Sequence, residues 1–153
     1  MVLVTSWMFI SNAFALQPGL ERDWHWITEP TVEICPDSDM SVNQVIDVLD
    51  YWLELEVNVQ ITGIQRVDQC DDEKLNVIQV HDHIDFDLDK YHALSTVDWY
   101  YHGVRNENTT YFIDRVRIQL PNDILDNQTV VRHEFGHAMG LGHSDHPVMK
   151  KRH

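Results

Sequence analysis

The sequence is poor in basic residues and in cysteine, and it has no long apolar run. Lysine and arginine number 11 against 25 aspartates and glutamates, which gives a formal net charge of −14 over 153 residues. This negative charge argues against nucleic acid or an anionic membrane as a partner. No apolar run reaches the roughly 20 residues of a membrane-spanning helix, so we expect no stable membrane span. No internal repeat appears, and the length predicts one domain, which we expect to be monomeric.

The chain contains only two cysteines, Cys35 and Cys70. Two such residues would be free thiols in a cytosolic protein and a single disulfide in a secreted one. Residues 2–15 are largely apolar and end in a small-x-small pattern typical of a signal-peptide cleavage site, although no lysine or arginine precedes them. We therefore expect a signal peptide over residues 1–15, secretion and a Cys35–Cys70 disulfide. The alternative is a buried N-terminal segment.

A group of histidines lies near the C-terminal end. His133 and His137 are four residues apart, so on a helix their rings leave one face one turn apart and can bind one metal ion. Glu134 lies beside them and can act as a base on a water at the metal. On a straight helix His143 would lie about 15 Å beyond His133, too far to share a zinc ion with Zn–N bonds of about 2.1 Å. The helix must therefore end first, and Gly140 can end it in a left-handed conformation.

Residues 130–144, together with Met149, resemble the extended zinc-binding signature of the metzincin metallopeptidases, and most closely that of the matrixin branch. The resemblance implies one catalytic zinc ion bound by the three histidines just named. It implies Glu134 as the general base in the hydrolysis of a peptide bond. It also places Met149 in the Met-turn, where it would form an apolar floor beneath the zinc ligands.

The third zinc ligand has competitors nearby in the chain. No glutamate follows Glu134, which excludes the zincin class whose third ligand is a downstream glutamate. Asp145 and His146 remain as alternatives to His143. Because His143 occupies the family's position, it is our prediction for the third ligand.

The resemblance also implies an α+β, zincin-like (metzincin) fold: a twisted mixed sheet of about five strands backed by two helices, the second of which carries the zinc ligands. Local patterns predict strands at 31–35, 57–67, 75–80, 95–101 and 111–120, a first helix at 42–56 and an irregular segment at 16–29. Ser41 and Gln44 form a capping box at the start of the first helix. Asp126 is the expected cap of the second helix.

In metzincins an antiparallel edge strand lies above the zinc ion, and the substrate pairs with it as an added strand. The order of the segments assigns this role to residues 95–101. The residues expected to pair with substrate are Val97, Asp98, Trp99 and Tyr100. The chain ends four residues after Met149, where matrixins continue into a C-terminal helix. We therefore expect residues 16–153 to form a minimal catalytic domain that lacks this helix.

Residues 81–90 alternate acidic and apolar side chains, and a second, structural metal ion is one interpretation of this pattern. The available ligand sets are zinc through His81 and His83, or calcium through Asp85, Asp87 and Asp89. Matrixins bind structural zinc and calcium in the corresponding loops, but the glycines that shape such loops are absent here. The spacing also differs from that of an EF-hand. A solvated acidic loop is therefore our default expectation, with the second metal as the alternative.

Two functions of different classes are compatible with these residues. The first is a secreted zinc endopeptidase that acts on a peptide or protein substrate. The second is a catalytically silent zinc-binding module that holds a peptide or protein partner in the same groove. Glu134 favours the first, because a site that only binds has no need of a base.

Overall fold

The computed structural model describes residues 19–20, 22–57, 59–82, 93–105 and 108–151, with backbone alone at 94, 96–105 and 108–111. Six strands and two α-helices lie in these ranges: β1 Trp24–Trp26, β2 Thr31–Ile34, α1 Val42–Glu54, β3 Gly63–Arg66, β4 Val77–His81, β5 Leu94–Arg105, β6 Asn108–Gln119 and α2 Gln128–Ala138. A short 3-10 helix at Asn122–Ile124 precedes α2. Within the described ranges, neither helix combines the length and apolar character that crossing a membrane requires.

All six strands belong to one sheet. Five of them run parallel in the spatial order β1-β6-β4-β2-β3, and β5 pairs antiparallel with β6. The sheet therefore has one strand more than the five expected. The additional strand is β1, so the prediction of an irregular segment over residues 16–29 is wrong at Trp24–Trp26. A three-residue strand is too short to show alternation, and its pairing with β6 comes from the tertiary fold.

Helix α1 begins as its sequence predicts. The Ser41 side chain accepts from the Gln44 N–H at 3.2 Å, and the Gln44 side chain accepts from the Ser41 N–H at 2.8 Å, which confirms the capping box. The helix ends at Glu54, two residues before its expected end, because Glu56 has a left-handed φ of +63°. The buried residues of α1 follow helical spacing: Val45, Val48 and Trp52.

All five predicted strands differ from their expected bounds. β2 ends one residue early, and β4 covers Val77–His81 where 75–80 was expected. β3 covers only Gly63–Arg66, because Val57 donates its N–H to the Trp52 carbonyl at 2.9 Å and so belongs to the end of α1. β5 and β6 are longer than expected, with 12 residues each. The two strands pair with each other over most of that length, and this long-range pairing extends both beyond their local patterns.

The two helices pack together through Trp52, which is fully buried on α1. Its indole N–H donates to the Arg132 carbonyl of α2 at 3.1 Å, so it contributes both apolar area and a hydrogen bond. Arg132 in turn lies over the Tyr51 ring, 4.1 Å from its centroid. These contacts fix α2, and therefore the histidines it carries, against the core.

The segment 67–76 is fastened to β2 and β4. Glu33 on β2 is almost fully buried and pairs with Lys74, while the Gln79 amide of β4 donates to the Asp71 carbonyl at 2.9 Å. Cys35 and Cys70 form a disulfide, as predicted. The disulfide adds a covalent link to a segment that hydrogen bonds and an ion pair already hold.

The double variant Cys35→Ala/Cys70→Ala should lose about 4 kcal/mol of unfolding free energy, because the disulfide removes loop entropy from the unfolded chain over a sequence separation of 35. Urea denaturation of oxidised wild type and variant measures this loss. Wild type treated with reductant should match the variant when both are measured with chelator present. A loss below about 1 kcal/mol would show that the link contributes little to stability.

Candidate metal centre

Helix α2 carries the first two histidines, and its start differs by one residue from the prediction. The N-cap is Asn127, whose side chain accepts from the Val130 N–H at 3.4 Å. The expected cap, Asp126, is wrong, because its carbonyl accepts from the Gln128 N–H at 3.0 Å and the residue lies in the preceding turn. Asparagine and aspartate cap helices about equally well, so the residue types of Asp126 and Asn127 do not decide which of them is the cap. The path of the preceding turn decides it.

The end of α2 is where the expected chain reversal occurs. Gly140 has a φ of +94°, in the left-handed region. Its N–H donates to the His137 carbonyl at 2.9 Å, and the Leu141 N–H donates to the Gly136 carbonyl at 3.0 Å. These two bonds form a Schellman motif, which confirms Gly140 as the residue that ends the helix.

The reversal brings three imidazoles together. The ring centroids of His133 and His137 are 4.7 Å apart, those of His133 and His143 are 5.2 Å apart, and those of His137 and His143 are 4.8 Å apart. One ligand nitrogen from each residue lies within 4.8 Å of the other two. Neither Asp145 nor His146 belongs to this cluster. His146 instead faces Trp52, with ring centroids 6.4 Å apart.

Backbone carbonyls orient two of the rings. His133 Nδ1 lies 2.6 Å from the Val148 carbonyl, and His137 Nδ1 lies 2.8 Å from the Leu141 carbonyl. A carbonyl can only accept, so each Nδ1 carries the proton and each Nε2 keeps a lone pair. The two Nε2 atoms are 3.1 Å apart with no proton between them. A cation relieves this repulsion, and ligands of a tetrahedral zinc ion are about 3.4 Å apart, so the residues fit the metal.

Burial lowers the pKa of two of these imidazoles. The pKa of His137 is lowered to about 4, mainly by burial; the bond to the Leu141 carbonyl opposes the shift, and smaller electrostatic contributions from His133 and His143 add to it. Burial also lowers the pKa of His143, with added contributions from His133 and Lys151. Neutral imidazole is the form that binds metal, so no proton must be displaced from His137 at neutral pH.

Glu134 is the carboxyl of α2, and it is only 7% exposed. Burial raises the pKa of its carboxyl, while a hydrogen bond from Ser95 and the charge of His133 oppose this rise. The Ser95 hydroxyl also donates to the Glu134 carbonyl at 3.0 Å, which ties the start of β5 to α2. A carboxyl with a raised pKa is a stronger base than an exposed one, as proton transfer from water requires.

Met149 is fully buried, and its side chain lies next to Gly136 of α2. A Cβ at Gly136 would overlap its sulfur and come within 2.8 Å of Trp52 Cζ2, so glycine is required between the two helical histidines. The Ser144 N–H donates to the Met149 carbonyl at 3.1 Å, which closes the turn after His143. Met149 therefore packs against the turn of α2 between His133 and His137, and its Met-turn role stays a prediction.

The sequence did not predict that residues 19 and 23–26 support this centre. The N–H groups of Asp23 and Trp24 donate to the Gly140 carbonyl at 2.9 and 3.2 Å, and the Trp26 indole donates to the Ala138 carbonyl at 2.9 Å. The Ser144 hydroxyl donates to the Gly19 carbonyl at 2.5 Å. The bonds from Asp23, Trp24 and Trp26 satisfy carbonyls at the end of α2, and the bond from Ser144 ties the following turn to Gly19. The two tryptophans flanking His25 indicated that this segment packs against something, but the residue type does not identify the segment it contacts.

The remaining predicted residues divide into two groups. The proposed substrate-binding residues lie on β5, opposite β6 at Val116, Arg115, Ile113 and Phe112, with an irregularity between Asp98 and Trp99. In the part of the chain that the structure describes, β5 pairs with no strand other than β6. Of the second-metal residues, only His81 is described. His83, Asp85, Asp87 and Asp89 lie outside the described residues, so that site stays a prediction.

Comparison with protein families assigns the chain. The matrixin family model matches residues 35–151, and the protein therefore belongs to the matrixin family. Searches among curated proteins and among solved structures found no match. Matrixins are zinc-dependent peptidases, so membership supports a peptidase-type function with peptide substrates, and the histidine cluster lies within the matched range.

Gly140→Ala should destabilise the protein by at least about 2 kcal/mol, because a left-handed conformation is costly for alanine and its Cβ would clash with the Trp24 carbonyl. It should also weaken zinc binding, since the residues after it carry His143. Chemical denaturation and zinc titration measure the two effects. Gly63→Ala is the control, because its Cβ would meet no atom within 4 Å. Equal effects at both glycines would contradict the role of the reversal.

His143→Ala should abolish zinc retention, whereas His146→Ala should keep it. The first residue belongs to the histidine cluster and the second packs near Trp52. Metal analysis of the purified variants after dialysis gives the zinc content per chain. Loss of zinc in His146→Ala together with retention in His143→Ala would assign the third ligand to His146.

Proposed function

We propose that this matrixin is a zinc-dependent endopeptidase. The observation that carries the proposal is that the three imidazoles converge around one point. The buried carboxyl of Glu134 lies on α2, the helix that carries two of them. His133, His137 and His143 would hold the metal, and Glu134 would be the general base. Three protein ligands leave one position of a tetrahedral zinc ion open, as catalytic zinc sites require.

The chemistry divides between the metal and the chain. When bound, zinc supplies Lewis acidity, which lowers the pKa of water to about 7 and polarises a carbonyl. Glu134 accepts the proton of the attacking water and passes it to the departing amine. The carbonyls of Val148 and Leu141 hold two of the rings in orientation and increase their basicity as ligands. Ser95 holds Glu134's segment of α2 against β5.

Substrate would bind as an added strand along β5. Val97, Asp98, Trp99 and Tyr100 would present backbone N–H and C=O groups to an extended peptide. Two observations support this position: β5 is antiparallel to its only strand partner in the described ranges, and its start is bonded to the helix that carries Glu134. Backbone pairing recognises an extended chain whatever its side chains, which suits cleavage within a polypeptide.

We also propose that the protein is secreted, that residues 1–15 are its signal peptide and that residues 16–153 form the catalytic domain, acting as a monomer. The apolar N-terminal segment and its small-x-small end motivate this assignment. The Cys35–Cys70 disulfide supports it, because stable disulfides belong to oxidising compartments. N-terminal sequencing of protein from the culture medium tests it: a mature chain beginning at Leu16 is expected, and an intact Met1 would overturn it.

The alternative is a zinc-binding module that holds a peptide without cleaving it. Glu134 favours the enzyme, because burial of a carboxyl costs free energy that a binding-only site has no reason to spend.

Purified protein should cleave casein or a mixed peptide library, and a chelator should stop it. Glu134→Ala should lower the rate by about 10²-fold or more while retaining zinc, because it removes the base and leaves the ligands. Glu73→Ala, at an exposed glutamate, is the matched control and should keep full activity. Zinc-loaded wild type that cleaves no peptide in the library would exclude the peptidase and favour the binding module.

A further inference from the structure

A second group of potential metal ligands lies at the carboxyl ends of two parallel strands, and it shares no residue with the histidine centre. Cys35 follows β2 and His81 ends β4, and the Cys35 N–H donates to the Val80 carbonyl at 2.9 Å. Cys70 reaches the same place through the disulfide. Cys35 Sγ lies 3.2 Å from His81 Nε2, and the ligand atoms of all three residues lie within 4.8 Å of one another.

A carboxylate orients the imidazole of this group. Asp37 Oδ1 lies 3.5 Å from His81 Nδ1, which favours the proton on that nitrogen. His81 Nε2 then carries a lone pair directed at the sulfur atoms. A carboxylate–histidine pair with the far nitrogen facing the metal is the usual arrangement at zinc sites.

We propose that reduction of the disulfide creates a zinc site formed by Cys35, Cys70 and His81. A small dithiol or thiol supplies the two electrons: two thiols are oxidised to their disulfide, and the Cys35–Cys70 bond is reduced to two thiols. On metal binding each cysteine releases one proton to solvent and binds as thiolate, while His81 binds through its lone pair. Two thiolates and one imidazole are typical ligands of zinc.

The three ligands stay close together without the covalent link. Ile34 and Val80 are paired in the sheet, so Cys35 and His81 keep their positions. On the other side, the Arg66 guanidinium donates to the Ser38 and Met40 carbonyls at 2.8 and 2.7 Å, which fixes the start of the loop that carries Cys70. The bond from Gln79 to the Asp71 carbonyl fixes the residue next to Cys70.

The site is open to solvent on one side. Cys35 is fully buried, whereas Cys70 and His81 are half-buried. A reductant and then a metal ion can therefore approach from the side of these two residues. A fourth position remains for water. The site would act under reducing conditions, independently of the proposed peptidase chemistry.

Cobalt(II) distinguishes this site from the histidine centre, because only thiolate ligands give an intense sulfur-to-cobalt charge-transfer band in the near ultraviolet. The Glu134→Ala variant is used throughout to prevent self-cleavage. Oxidised protein should bind cobalt without the band. Protein reduced with a water-soluble phosphine, then freed of it, should bind one more equivalent and show the band, and zinc should displace the cobalt.

His81→Ala in the same background tests the imidazole. This variant should lower the affinity for the second equivalent of cobalt by at least about 10-fold. His146→Ala, the matched histidine control, should leave that affinity unchanged. A reduced protein that binds no more cobalt than the oxidised one would overturn the proposal. If His81→Ala shows the band and binds the second equivalent of cobalt with unchanged affinity, the proposal is also overturned, because the two cysteines alone would then hold the metal.

Circular dichroism of the same samples shows whether the protein unfolds when the disulfide is reduced. A reduced protein that refolds only when metal is added, with the band present and His81 required, supports the site. A reduced protein that stays unfolded with metal overturns it. A failure of peptide cleavage in the separate assay would leave this result unaffected, because the charge-transfer band reports the cysteines and not the three histidines of α2 and the following turn.

Discussion

The end of helix α2 is the constraint on which the rest of the structure depends. A straight helix would carry His143 away from His133 and His137, and the Schellman motif at Gly140 reverses the chain within one residue. The same reversal positions the Leu141 carbonyl to orient His137. Gly140 also lies against the Trp24 carbonyl, where no Cβ fits. One backbone conformation therefore serves helix termination, ligand convergence and contact with the N-terminal segment.

Packing makes this local geometry rigid. Trp52 joins the two helices, and Met149 packs against Gly136. Asp23, Trp24 and Trp26 bind carbonyls at the end of α2. Burial then lowers the pKa of His137 and raises the pKa of Glu134. The electrostatics of the centre thus follow from its burial, and its burial follows from the contacts of both helices with the sheet.

The parts that sequence could predict are those with local causes. The capping box at Ser41, the helix end at Gly140 and the histidine spacing each depend on residues within one or two turns. The Cys35–Cys70 disulfide followed from having only two cysteines and an apolar leader. The failed predictions have two causes. β1 exists because β6 and Gly140, which are distant in sequence, bind it. Val57 lies outside its expected strand because of the local turn after α1, in which the Trp52 carbonyl accepts its N–H. The choice of Asn127 over Asp126 as cap is likewise set by the path of the preceding turn.

The central claim is that three ring nitrogens meet at one zinc ion after the chain reverses. A crystal structure of the zinc-loaded protein, with anomalous differences measured at the zinc edge, tests it most directly. The account predicts one anomalous peak at about 2.1 Å from Nε2 of His133 and His137 and from a ring nitrogen of His143, with Glu134 beside the open position. A peak bound by His146 or Asp145, or a His143 ring directed into solvent, would contradict it.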